Sequence, residues 1–200
     1  VLEVKDSSKF TRLKDFEYST EQAYIIEMGN LYFRFFKERG RISSAKSISG
    51  AANNGSGLIR ITATGHGFET SNTVTIASVA GTTEANGTWV ITVISANTFD
   101  LIGSTFSSSY SSGGTATAIV EKSTVYTEAQ LPDLRFTQSA DILYVVHKLH
   151  EPMKLTRTSH VDWTLTEIDF QDGPYYDINL TTTTLTLSGT SGSVTVTASA

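Results

Sequence analysis

Phe16-Glu17-Tyr18-Ser19-Thr20-Glu21-Gln22-Ala23-Tyr24-Ile25-Ile26-Glu27-Met28 is the stretch on which the fold turns. Apolar side chains at Phe16 and Tyr18, and again at Tyr24, Ile26 and Met28, recur at period two around a polar segment, residues 19–23. Period two marks a strand with one buried face, and the polar interruption reads as a turn. The pattern returns 118 residues later as Leu134, Phe136, Ile142, Tyr144 and Val146 around a polar turn at 137–141. Each copy then turns into a third strand, residues 31–37 after Gly29-Asn30 and residues 153–158 after a turn at 148–152. Residues 163–168 supply a fourth strand in the second copy, and its counterpart in the first falls near 124–126. Short antiparallel strands in series, occurring twice, read as a β-meander or propeller blade. Helix is nearly absent; residues 127–132 offer one turn.

Charge shows what separates the two copies. From Ser47 to Val120 only Arg60, Glu69, Glu84 and Asp100 are charged, four residues in 74, whereas the other 126 residues carry 31 charges. The second density is ordinary for a folded domain and the first is not. Boundaries therefore fall near Lys46 and Glu121. Inside them lie candidate strands at 58–63, 73–76, 89–94, 99–101 and 115–120, a turn at Gly65-His66-Gly67, and a Ser/Gly loop at 107–114. Asn86-Gly87 is a strong hairpin signal. The expected class is all-β: an antiparallel meander or blade-like fragment interrupted by a small inserted β-barrel or sandwich. The domains are a discontinuous scaffold, residues 1–46 plus 121–178, and an insert, residues 47–120. Residues 179–200 begin a further Thr/Ser-rich β-segment, since apolar and hydroxyl side chains alternate there. Insertions are tolerated in loops because little backbone pairing is lost.

Composition excludes several classes. The 200 residues include no cysteine, so there is no disulfide, zinc ribbon or thiol nucleophile, and folding needs no oxidising compartment. A net charge of −5 argues against a protein that coats nucleic acid. No run approaches the ~18 apolar residues of a membrane helix. The first residues lack an initiator Met and an apolar signal-peptide core, and the chain reads as a fragment of a longer protein.

Chemistry is sparse. His147, His150, His160 and Asp162 can be drawn as a metal site. Strand positions three apart face opposite sides, however, so the first two are expected to diverge as surface turn residues. His66, between two glycines, reads as a turn residue. Glu167 and Asp169 share a strand face, as a glycosidase pair would, but exposed strands carry such residues anyway. Ser191, in Gly189-Thr190-Ser191-Gly192, fits a hairpin loop better than a nucleophile turn. The basic cluster Arg34, Lys37, Arg39, Arg41 and Lys46 interleaves with Phe33, Phe35 and Phe36, aromatics that more simply fill a core. No phosphate-cradling motif occurs. The triplets at Asn54, Asn86 and Asn179 are expected by chance in a Thr/Ser-rich chain. These readings leave no catalytic, cofactor or metal residues, and the chain is expected not to be an enzyme. The candidate surface-binding aromatics are Trp89, Tyr110 and Trp163.

The charged halves carry a resemblance. Residues 16–24 with Leu31-Tyr32-Phe33-Arg34-Phe35-Phe36 form one group, and Tyr126-Thr127-Glu128 through Leu134-Arg135-Phe136-Thr137-Gln138-Ser139-Ala140-Asp141 a second. Lys154-Leu155-Thr156-Arg157-Thr158, Asp162-Trp163-Thr164-Leu165 and Asp172-Gly173-Pro174-Tyr175 complete the set. Together, over residues 1–45 and 121–178, they resemble the nozzle (tail tubular B-like) proteins of short-tailed bacteriophages, whose members are several times longer. Within the insert, Thr62-Ala63-Thr64-Gly65-His66-Gly67-Phe68, residues 79–87 and Asn97-Thr98-Phe99 resemble a small β-module of phage tail proteins. That module is labelled after the first catalytic-cysteine half-domain of ubiquitin-activating enzymes, and without cysteine no ubiquitin chemistry follows. The resemblance implies a virion tail protein, assembled in the bacterial cytoplasm into a ring, by family a hexamer. The ring would dock to an adaptor under the portal and to tail fibre proteins. DNA would pass through its lumen without sequence-specific binding, and this segment would not insert into a membrane. The alternative is a carbohydrate-binding or adhesin-like tail module that recognises the host surface through the three aromatics.

Overall fold

The computed structural model describes residues 3–19, 22–170 and 182–199. Thr20, Glu21, Asp172 to Tyr175 and Asn179, drawn on above, lie outside the described residues. Strands follow one another along the chain: β1 (Arg12–Ser19), β2 (Gln22–Gly29), β3 (Tyr32–Lys37), β4 (Gly40–Arg41), β5 (Ser43–Ser47), β6 (Gly50–Asn53), β7 (Ile59–Thr62), β8 (Thr73–Ala80) and β9 (Gly87–Ser95). Then come β10 (Thr98–Leu101), β11 (Ser112–Ile119), β12 (Glu121–Ser123), β13 (Arg135–Ser139), β14 (Ile142–His147), β15 (His150–Arg157), β16 (Trp163–Glu167), β17 (Leu185–Leu187) and β18 (Val196–Ala198). Every pairing is antiparallel and the fold is all-β. Residues 1–168 form one compact unit and residues 169–200 another.

In the first unit, strands in the order β1-β2-β3-β12 make one sheet, with β4 beside β3, and β13-β14-β15-β16 make a second. Their inner faces share a single core: Phe16, Tyr24, Ile26, Phe33 and Phe35 from the first meet Leu143, Val145, Leu155 and Trp163 from the second. Burying apolar faces against each other is what stabilises two such sheets. Polar stitches join them at the rim, where the Gln138 amide donates to the Glu17 carbonyl and the Arg12 guanidinium to the carbonyls of Leu131 and Leu134. The 3-10 segment Glu128–Asp133 leads into β13 and buries Leu131 in the same core.

The two sheets are not related by a simple 118-residue shift. The second copy buries Leu143, Val145 and His147, whereas Val146 faces solvent and Ile142 and Tyr144 are only half-buried. The cause is a bulge. The β1–β2 register slips between Glu17 and Ser19, while β13–β14 runs unbroken from Arg135↔Val146 to Ser139↔Ile142. One extra residue in one copy exchanges the faces of everything beyond it. The turns are also tighter than the sequence suggested, with strand pairing continuing to Ser139 and resuming at Ile142. Pro152 lies within β15 rather than in a turn, next to the irregular register between Val145 and His147, where a missing N–H costs no ladder bond. The first copy's fourth strand is β12, ahead of the 124–126 expected for it.

Residues 43–119 build a seven-stranded sheet in the order β5-β11-β8-β9-β10-β7-β6. Ile48 and Ser49 carry the chain between its two edges, donating to Gly114 O and Thr62 O, so the sheet curls toward closure. It has a core of its own, built on Ile59, Ile61, Val74, Ile76, Ile91, Phe99 and Leu101. The expected strands at 58–63, 73–76, 89–94, 99–101 and 115–120 all lie in it. β5 and β6 escape a periodicity reading because Ser, Gly, Ala, Asn and one Lys supply their side chains, with no large apolar residue to mark a face. Asn86-Gly87 is not a hairpin tip. A 3-10 turn, Thr83–Ala85, closes the connection, and the Asn86 amide pairs with both Val79 N and Val79 O at 2.9 and 3.0 Å, as a neighbouring strand would. The chain enters and leaves the sheet side by side, with Val120 N donating to Ile42 O at 2.8 Å. In the second unit β17 pairs with β18, and Ser191 sits in the loop between them.

Candidate functional site

A cleft of about 390 Å³ opens where the curled sheet meets the scaffold. Lys46, His66, Phe68, Asn72, Lys122 and Asp162 are among the residues that line it. The Gly65-His66-Gly67-Phe68 loop forms one wall. Gly65 and Gly67 both take the left-handed conformation that glycine adopts at little cost. Between them the chain folds His66 inward until it is buried. Its Nδ1 accepts from Phe68 N at 3.0 Å, which leaves Nε2–H to donate to Ser95 O at 3.0 Å. The ring then packs edge-on against Phe99. His66 is thus a packing residue that sets the loop.

Glu69, next along the loop, reaches across the cleft. Its carboxylate accepts from Lys122 Nζ at 3.0 Å and from the backbone N–H of Ser123 at 2.7 Å, both on scaffold strand β12. One of the insert's few charges thereby fastens it to the scaffold, a role the charge count did not foresee. Lys46 and Asp162 face the same recess with no side-chain ion pair among the described residues. A cation, a carboxylate, backbone and hydroxyl groups suit recognition of a polar partner.

The aromatics proposed for surface binding lie elsewhere. Trp163 is 1% exposed and stacks on Phe35 at 4.1 Å, with Nε1 donating to His160 O. Apolar burial on a shared core face removes it from any ligand's reach, which corrects the platform reading for this residue. Trp89 is half-buried against the insert's core and donates to Ala85 O at 2.8 Å. Tyr110 is half-buried too, with its hydroxyl bonded to Ile48 O and Gly113 O. None of the three lines the cleft.

The histidines also differ from expectation. His147 and His150 do not diverge. They flank the two-residue turn Lys148-Leu149 on opposite strands, pair across it, and bring their rings within 5.4 Å. Spacing along one strand was the wrong geometry for residues on two. His160 lies apart, with Nδ1 2.5 Å from the Tyr24 hydroxyl. Among the described residues no three His, Asp or Glu are grouped to hold a metal ion. Of the basic cluster, Arg34 pairs with Glu121 at 2.6 Å and Lys37 with Glu38, while Phe33 and Phe35 are core residues. Glu167 is exposed on β16. No helix of the described residues is long and apolar enough to cross a membrane.

The family description that matches is the ubiquitin-activating enzyme E1 FCCH domain, over residues 56–119. The match spans β7 to β11, the larger part of the curled sheet, and includes the Gly-His-Gly-Phe loop. The inserted sheet is similar to that domain, and no chain segment outside it is covered. No curated protein matches the sequence. Among solved structures, the chain is similar to the phage phi92 endosialidase, with 10% identity and a TM-score of 0.34. The alignment covers 92% of this chain and 40% of that one, so this chain spans well under half of its length.

Proposed function

We propose that the chain is part of a structural bacteriophage tail protein of the nozzle type, in which the five-stranded and four-stranded sheets belong to the ring scaffold and the curled sheet is a decoration displayed from it. The observation that carries this reading is where the resemblance falls. The scaffold motifs around Phe16 and Tyr24, around Phe33 and Phe35, and around Trp163 supply the strands and core of one split sandwich. An insert with a separate core, entering and leaving at adjacent residues, fits a module grafted onto a load-bearing scaffold. The reading assigns no catalytic step. The ring, its hexameric count, the adaptor, portal and fibre contacts and the conduction of DNA are all part of the proposal. So is residence in the virion after assembly in the host cytoplasm. The adhesin alternative drew on Trp89, Tyr110 and Trp163, and of these Trp163 is buried while the other two are half-buried.

Virions decide it. Antibodies raised against the curled sheet should label purified particles at the tail, and the native protein should run as a closed ring by mass photometry. A protein absent from virions, or a monomer that binds a glycan array, contradicts the proposal.

A further inference from the structure

No strand of the curled sheet pairs with a strand of the scaffold, and within residues 1–168 every two strands in extended contact belong to the same one of the two. Their cores are separate clusters. The chain crosses between them twice, side by side. Ile42 and Val120 are set in the scaffold core, and their neighbours Ser43 and Ile119 already pair as β5 and β11. The crossing is thus a two-stranded ribbon with the bond from Val120 N to Ile42 O at its base. Such a ribbon twists and bends more than a wider sheet does. Beside it lies the cleft of about 390 Å³, in the place where a shared apolar surface would fix the angle. Two bodies without a large apolar interface move against each other unless something else holds them.

Glu69 is what holds these two. Among the described residues, the side-chain hydrogen bonds and the ion pair that cross the junction all end on its carboxylate: Lys122 Nζ lies 3.0 Å from Oε1, and Ser123 N donates to Oε2 at 2.7 Å. β12 is the last strand in its sheet, so no neighbouring strand competes for that N–H. Both bonds are charge-assisted, and both depend on one rotatable side chain. The loop that carries Glu69 is held separately. Glu69 N donates to Asn72 Oδ1 at 2.8 Å, and Asn72 N to Glu69 O at 3.0 Å. The carboxylate can therefore let go while the loop stays folded. We propose that the curled sheet is a hinged module that pivots on the ribbon at Ile42 and Val120, and that the Glu69 carboxylate is the latch holding it against β12. With the latch closed, residues 1–168 are the one compact unit described above. With it open, the cleft widens and the module swings, which changes the direction in which it is displayed and leaves both cores intact.

The chain has no cysteine, so Ala77→Cys and Thr137→Cys, at exposed positions on the curled sheet and the scaffold, take spin labels at those two sites alone. Pulsed dipolar spectroscopy of this labelled parent, as the full chain, should give one narrow distance distribution. Adding Glu69→Ala should replace it with a broad one. The amide shifts of Ile76 and Ile91 in one core, and of Leu143 and Leu155 in the other, should stay where they were. Lys122→Met removes the ion pair and leaves the Ser123 bond; it should broaden the distribution too, and it decides the matter if Glu69→Ala does not fold. A distribution already broad in the parent, or one left narrow by the deciding variant, overturns the proposal.

Discussion

Trp163 stacks on Phe35 and meets Phe16 and Tyr24 edge-on at 5.0 and 5.3 Å, so one side chain holds both scaffold sheets together. Trp163→Ala should cost roughly 3–5 kcal/mol in urea unfolding, because the void has walls from two sheets and cannot collapse. Glu84 shows the opposite case, a surface residue with a definite task. Its own backbone N–H, then the N–H groups of Ser107 and Ser108 and the Ser107 hydroxyl, hold its carboxyl at about 2 against an ordinary 4.5. A lowered folded value gives stability that is complete above pH 4.5 and lost as pH falls toward 2. Protection of the Ser107 and Ser108 amides, measured against their intrinsic exchange rates, should therefore fall over that window, and Glu84→Gln should abolish that fall. Neither role was legible in sequence. Trp163 looked like a platform because aromatic identity carries no information about burial, and Glu84 looked like one of four stray charges.

At the scale of elements, alternation found strands wherever large apolar residues marked a face, and it failed for two physical reasons. β5 and β6 carry no large apolar side chain, and their place is set by pairing with β11 and β7 rather than by burial. The repeat was legible but its phase was not, because a single bulge near Glu17 inverts the faces of one copy. Burial and phase together decide which substitutions matter: Val145→Asp should prevent folding, whereas Val146→Asp, one residue on, should change stability by less than about 0.5 kcal/mol. The candidate cleft was half legible. Gly65-His66-Gly67 announced a turn, but the Glu69 bridge to Lys122 and Ser123 joins residues more than fifty positions apart, and no local pattern encodes it. The 107–114 loop likewise reads as loose, yet Gly81 packs against it so closely that an added Cβ would stand 2.2 Å from Ser109 O. With φ at +85° as well, Gly81→Ala should destabilise the insert by about 1–3 kcal/mol in thermal unfolding.

At the scale of the whole molecule, strands from the two charged segments share one core, and the curled sheet between them in sequence has another. The proposed tail role puts the ring scaffold in the strands that share the first core. The charge-poor segment of the sequence, residues 47–120, nearly coincides with the curled sheet, whose strands run from Ser43 to Ile119. The junction itself offers the test. Ile42 and Val120 are hydrogen-bonded neighbours, close enough for an Asn-Gly turn to join them once residues 43–119 are removed. The measurement is urea unfolding of that excised chain, followed by fluorescence, where Trp163 is the remaining tryptophan. The account predicts one cooperative transition with Trp163 buried at the start; an exposed Trp163 without a cooperative transition would show that the halves do not make a scaffold of their own.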